Sequence, residues 1–144
     1  MTDYKDTEYK KKHPADRRPP DKILEAVRQR AKENEMPCAV AFDIARGLNV
    51  QPSEVGFALD YSEIRLVKCQ LGLFGYKPQK SIVSPSSSVS QDLEKDIKVR
   101  LKNGRLPCKE AWALASERGL RKMEVSSACE ALGIKISECQ LGAF

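Results

Sequence analysis

The chain has 144 residues, of which 41% are hydrophobic and 31% are charged, and its formal net charge is +5. This composition is typical of a globular protein, and no run of about 18 apolar residues is present that could span a membrane. Residues 1–22 are polar throughout and do not resemble a signal peptide, so we expect a cytoplasmic protein without a membrane partner.

The sequence repeats itself at an offset of 70 residues. The motif Cys-Gln-Leu-Gly-x-Phe occurs at 69–74 and again at 139–144, and the register extends without a gap back to Met36 and Leu106. Over these 39 aligned positions, 13 residues are identical. A repeat of this kind predicts two duplicated structural units.

Four segments are expected along the chain. Residues 1–20 have little apolar material and are predicted to form a disordered tail of mixed charge. The two modules are predicted at 21–75 and 91–144, and the Ser/Pro-rich residues 76–90 are predicted to be a linker.

Each module begins with a predicted helix. Asp21 follows a proline and is expected to cap the first one. Apolar residues then recur at helical spacing, and the same pattern follows the serine run at 86–90 in the second module. The predicted buried positions are Ile23, Leu24, Val27 and Ala31 in one module and Leu93, Ile97 and Leu101 in the other.

A second helix is expected to open at Pro37 or Pro107, because a proline in the first turn loses no hydrogen bond. It is expected to stop at Asn49 or Gly119, the residue types that most readily accept a left-handed backbone at a helix end. The sequence therefore predicts a tight turn at both places.

A third helix is predicted after that turn, from about Pro52 to Asp60 and from Lys122 to Leu132. The residues after it, 64–69 and 134–139, alternate and are rich in β-branched side chains, so each is predicted to be one short strand. The predicted buried residues of the third helices are Val55, Ala58 and Leu59, and Val125, Ala128 and Cys129.

The motif Cys-Gln-Leu-Gly-x-Phe, here termed the closing segment, ends each module. Its Leu and Phe side chains are apolar, and its Gly permits a sharp reversal of the backbone. These properties favour a segment that folds back to close an open edge of the core. A role in docking a partner is the alternative.

The stretches AFDIARGLNVQPSEVGFALD (41–60) and AWALASERGLRKMEVSSACE (111–130) resemble the helix-turn-helix unit of DNA-binding regulators. The resemblance rests on small Ala45 and Ala115, the turn residues Asn49 and Gly119, and core Val55 and Val125. With a strand after it, each module resembles a reduced winged helix. The implied fold is mostly α, with two duplicated three-helix helix-turn-helix modules, each followed by a short β-strand and a closing segment.

The resemblance implies a DNA-binding protein, specifically a small transcriptional regulator that binds double-stranded DNA. We expect the second module to be the main reader, because its third helix begins with two cations, whereas that of the first carries acidic residues. The candidate DNA-binding residues are Arg121, Lys122, Ser126, Ser127, Lys135, Arg65, Gln51 and Ser53. The alternative is a protein-protein interaction module that keeps the fold without reading DNA.

The five cysteines include two candidate thiol pairs of equal spacing, Cys38 with Cys69 and Cys108 with Cys139. Reduced structural thiols, a reversible disulfide and a metal site are all open, although no C-x-x-C spacing is present and the one histidine is in the tail. Neither a catalytic motif nor a nucleotide fingerprint occurs, so we expect no enzyme activity and no cofactor.

Overall fold

The computed structural model describes residues 17–144, which are mostly helical with a few short strands. Residues 1–16, most of the predicted tail, lie outside the described residues. The chain divides into two compact units. Unit 1 contains the described residues 17–68 together with Leu141–Ala143, and unit 2 contains Cys69–Gln140 together with Phe144.

Unit 1 contains three helices and two strands among its described residues. In chain order they are α1 (Asp21–Arg30), β1 (Glu35–Pro37), α2 (Cys38–Leu48), α3 (Pro52–Tyr61) and β2 (Arg65–Val67).

The first helix buries Ile23, Leu24 and Val27, as the apolar spacing predicts. The prediction that Asp21 caps this helix is wrong. Pro20 occupies the capping position and no side chain caps the helix, while Asp21 is the first helical residue and accepts a hydrogen bond from Arg18 at 3.0 Å. An acidic residue in the first turn still complements the helix dipole.

The predicted stop of α2 is confirmed at Asn49, which has φ 56° and ψ 48°. The N–H of the next residue, Val50, donates to the carbonyl of Ala45 at 3.0 Å, which closes the turn between the helices. The third helix then begins at Pro52 and buries the three predicted residues, Val55, Ala58 and Leu59.

The predicted strand after α3 is present, but its partner was not predicted. β1, immediately before α2, pairs with β2 in parallel, with Met36 opposite Leu66. Met36 is completely buried. This pair ties the start of α2 to the chain that leaves α3.

Unit 2 also contains three helices and two strands. They are α4 (Gln91–Val99), β3 (Leu106–Pro107), α5 (Cys108–Arg118), α6 (Lys122–Leu132) and β4 (Ile136–Ser137). The hydroxyl of Ser90 caps α4 by accepting a hydrogen bond from the N–H of Leu93 at 3.2 Å. β3 and β4 pair in parallel, with Leu106 opposite Ile136.

The turn after α5 is left-handed at Gly119, with φ 65°, as predicted. The buried face of α6 contains the three predicted residues, Val125, Ala128 and Cys129. The core of unit 2 also contains Cys69, Leu71, Ile97, Leu106, Cys108, Ala111, Leu114 and Ala115.

Candidate functional site on the third helices

The start of α6 presents the two predicted cations, and both already have partners within unit 2. The Nε of Arg121 lies 3.1 Å from a carboxylate oxygen of Glu124, and the backbone N–H of Arg121 donates to the same oxygen at 3.2 Å. The hydrogen bond from the Arg121 guanidinium lowers the pKa of the Glu124 carboxyl. The Nζ of Lys122 lies 4.4 Å from the centre of the Trp112 ring. The Arg121 side chain is nevertheless 86% exposed.

Ser126, which the sequence predicts to contact DNA, has an internal side chain. Ser126 is 1% exposed, and its hydroxyl donates to the carbonyl oxygen of Leu71 at 2.6 Å. Ser127 is half-buried, and its backbone carbonyl accepts a hydrogen bond from the N–H of Ser86 at 3.0 Å. The centre of α6 therefore contacts two other segments of the chain instead of facing open solvent.

Parts of residues 71–86 contact α6. A Cβ placed on Gly72 would be 3.0 Å from the terminal methyl of Met123 and 3.0 Å from Val83. The carbonyl of Gly72 in turn accepts hydrogen bonds from the N–H of Ile82 at 2.9 Å and the hydroxyl of Ser81 at 3.2 Å. The first part of the predicted linker is thus bonded to the closing segment.

A cavity of about 420 Å³ lies between residues 84–90 and the start of α6. Its walls include four serines of the linker together with Leu120, Arg121 and Met123. The cavity is open and of mixed polarity, and both Arg121 and the more central Ser127 line it.

The third helix of unit 1 leaves Gln51 and Ser53 exposed at its start. Its Glu54 accepts a hydrogen bond from Arg17 at 2.8 Å, and the same guanidinium lies 4.4 Å from the centre of the Phe57 ring. Phe57 is only 3% exposed. The start of the described chain therefore covers part of this helix.

The remaining predicted DNA-binding residues are Arg65 and Lys135. Arg65 is exposed on β2 in unit 1, and Lys135 is exposed immediately before β4 in unit 2. The predicted DNA-binding residues therefore lie on both units, and Ser126 is the one among them whose side chain is fully buried.

Unit 2 also contains an open apolar cleft of about 380 Å³ that was not predicted. Phe144 is 47% exposed at this cleft, and Glu130 and Lys135 add one charge of each sign. The apolar part of the wall is formed by Leu73, Ile134, Ile136 and Phe144. The ring of Phe144 is held edge-on to Phe74, with 5.9 Å between their centres.

All five cysteines are free thiols. Cys38 belongs to unit 1, whereas Cys69, Cys108 and Cys139 belong to unit 2. Burial raises the pKa of Cys69, and raises the pKa of Cys108 and of Cys129 to about 11. The side chain of Gln140 reaches the sulfur of Cys108 at 3.8 Å.

No group of three or more metal-ligating side chains with suitable geometry occurs between residues 17 and 144. Within the same range, no helix is both long enough and apolar enough to cross a bilayer. Comparison with protein-family models, curated proteins and solved structures found no match to this chain.

Sequence reasoning missed Gly56, at the centre of α3. A Cβ on this residue would lie 1.7 Å from the carbonyl oxygen of Leu141, which is within covalent distance, so only glycine fits. The available signal was a glycine inside a predicted helix, at the position where the second copy has a small serine.

Proposed function

We propose that this chain is a protein-interaction module built from two duplicated three-helix units of helix-turn-helix type. In this proposal the third helices hold peptide segments and do not enter a DNA groove.

Support for the duplication comes from the backbone. The left-handed residues recur at the 70-residue offset in six pairs, although the residue type differs in five of them. These pairs are Glu33 and Asn103, Asn34 and Gly104, Asn49 and Gly119, Glu63 and Gly133, Lys68 and Glu138, and Gly72 and Gly142. The parallel strand registers, 36 with 66 and 106 with 136, differ by the same offset. Since non-glycine residues adopt this conformation rarely, such agreement favours one backbone plan used twice.

The observation that carries the proposal is the hydrogen bond from Ser126 to the Leu71 carbonyl. A recognition helix needs its outward side chains free to reach base edges. Here the hydroxyl of Ser126 is bound to the closing segment, and the linker contacts the adjacent residue, Ser127. Arg121 stays exposed at the start of the helix, and the acidic residues Glu124 and Glu130 are exposed along it.

The surface that we assign to the partner is the apolar cleft at Phe144. An exposed aromatic ring beside half-buried aliphatic residues, with a charge of each sign nearby, is the pattern of a small hydrophobic anchor site on a protein surface. The ring is fixed by Phe74, so it presents its apolar face without a large loss of side-chain entropy on binding.

Binding of apolar groups in the cleft can be tested with anilinonaphthalene sulfonate, a fluorescent aromatic dye that binds exposed hydrophobic surface. Phe144→Ser should weaken dye binding by about fivefold, the equivalent of losing roughly 1 kcal/mol of apolar contact. Val99→Ser is the matched control, because Val99 is 79% exposed but lies outside the cleft. Equal dye affinity in the two variants would remove the cleft from the proposal.

A DNA-binding function is the second candidate, and the exposure of Arg121 favours it. Phosphate contacts make affinity fall with salt, with a logarithmic slope of about −0.9 per neutralised charge. If the chain binds duplex, reversing Arg121 and Lys122 to Glu should abolish binding, whereas Gln51→Ala with Ser53→Ala should have little effect.

A gel-shift against random-sequence duplex separates the two functions. The interaction module predicts no complex at about 50 mM salt, where phosphate contacts are still strong. A complex that is lost in the charge-reversed variant but kept in the Gln51 and Ser53 variant would establish the DNA-binding function instead.

A further inference from the structure

The centres of the two third helices contact the same atom of the same motif. Gly56 and Ser126 are 70 positions apart and therefore correspond in the repeat. Ser126 donates its hydroxyl to the carbonyl oxygen of Leu71. Gly56 lies so close to the carbonyl oxygen of Leu141 that no side chain fits between them. Both leucines occupy the third position of a closing segment.

Each of these leucines comes from the other sequence repeat. Leu141 belongs to the second repeat, yet it is part of unit 1, where it faces Gly56. Leu71 belongs to the first repeat, yet it is part of unit 2, where it faces Ser126. Both side chains are buried, at 4% and 0% exposure, so each completes the core of the unit that receives it.

The first closing segment is anchored firmly in unit 2. Its loop is closed by the N–H of Cys69, which donates to the carbonyl of Phe74 at 3.1 Å, and by the hydroxyl of Tyr76, which donates to the carbonyl of Cys69 at 2.5 Å. Cys69 and Leu71 are both members of the unit 2 core. This segment is therefore a part of unit 2 and not a loose end of unit 1.

We infer that the Leu-Gly parts of the two closing segments are exchanged, so that each third helix is a binding site for the Leu-Gly part of the other repeat. The residue at the centre of the helix sets how that segment is held. Glycine in α3 lets the backbone of Leu141 approach to contact distance, whereas serine in α6 binds the carbonyl of Leu71 through its hydroxyl. Neither half of the sequence is then a complete folding unit, and the exchange holds the halves together independently of residues 77–90.

Cleavage of the chain tests this directly. A specific protease site inserted between Gln79 and Lys80, both exposed, divides the protein into residues 1–79 and 80–144. The first fragment carries Leu71 and the second carries Leu141. After cleavage the fragments should elute together at the mass of the intact chain. Separate elution under native conditions would overturn the inference.

Point variants show whether the exchanged segments are responsible for the association of the two fragments. In the cleaved protein, Gly56→Ala should weaken fragment association at least tenfold, whereas Gly47→Ala should leave it unchanged, because no other atom lies within 4 Å of a Cβ at that position. Ser126→Ala is a milder variant that removes one hydrogen bond and should weaken association by about fivefold. Association that is unaffected by both Gly56→Ala and Ser126→Ala would exclude the exchange. This readout does not depend on dye or DNA binding, so it can fail while the proposed function stands.

Discussion

The guanidinium of Arg100 lies 2.6 Å from the carboxylate of Glu117, which joins the end of α4 to the end of α5. The same side chain contacts Asp96 at 3.2 Å and Glu110 at 3.3 Å, and it is only 20% exposed. A partly buried cation with three carboxylate partners is a stronger contact than an isolated surface ion pair.

We expect Arg100→Met to lower the free energy of unfolding by about 2 kcal/mol, because hydrogen bonds to charged groups are lost while the aliphatic stem is kept. The measurement is urea unfolding followed by circular dichroism. Arg105→Met is the control, since Arg105 is exposed on the same unit. Equal effects of the two substitutions would show that the network contributes nothing specific.

Asp96 should make the free energy of unfolding depend on pH in the acid range. Desolvation acts to raise the pKa of this carboxyl, but hydrogen bonds from Arg118 and Arg100 outweigh it and lower the pKa. A carboxyl whose pKa is lower in the folded state than in the unfolded state stabilises the protein at pH values above the unfolded-state pKa of about 3.9. This stabilisation is lost as the pH falls through the folded-state pKa.

The difference in unfolding free energy between wild type and Asp96→Asn should therefore be largest near neutral pH and should narrow in acid below about pH 4. Denaturant titrations at a series of pH values measure this difference. Glu25→Gln, which changes an exposed carboxylate on α1, is the matched control. A difference that stays constant from neutral to acid pH would contradict the assignment.

Two glycine substitutions should have opposite effects on thermal stability. Gly56→Ala places a methyl group on the Leu141 carbonyl, and such overpacking costs about 1–3 kcal/mol or more. Gly47 lies within α2, and a Cβ at this position would have no other atom within 4 Å. Gly47→Ala should therefore stabilise the protein by about 0.5–1 kcal/mol, because alanine has the higher helix propensity. Calorimetry of the two variants measures both effects, and a neutral Gly56→Ala would mean that α3 and the closing segment can move apart.

The thiols should react unequally with a disulfide reagent such as dithionitrobenzoate. Burial raises the pKa of Cys108 and Cys129 to about 11, so the reactive thiolate is scarce at pH 8 and access to the sulfur is restricted. Cys139 is only half-buried and should be labelled first. Mass spectrometry of partly labelled protein identifies the order, and fast labelling of Cys108 would contradict the structural role of its thiol.

Features decided by local backbone chemistry could be predicted from the sequence. The left-handed helix ends at Asn49 and Gly119 follow from the conformational freedom of these residue types. The start of the third helix at Pro52 and the buried faces of α3 and α6 follow in the same way from short-range patterns. These features depend on residues within a few positions of one another.

Features that depend on contacts between distant parts of the chain could not be predicted from the sequence. β1 and β3 have three and two residues, each ends in a proline, and their strand partners are 30 residues away, so their sequences carry almost no strand signal. The polarity of Ser126 suggested a surface position, but its partner is a carbonyl 55 residues earlier in the chain. The apolar residues of the closing segments predicted that each segment covers a core. The repeat alone does not show which of the two cores each segment covers.

The membership of Leu141–Ala143 in unit 1 has a consequence for synthesis of the protein. The helices of unit 1 leave the ribosome long before residue 141, whereas Leu71 is available before any helix of unit 2 has been made. During synthesis, the site beside Gly56 therefore stays without Leu141 until nearly all of the second unit has emerged. The second unit, by contrast, finds its exchanged leucine already present when α6 forms.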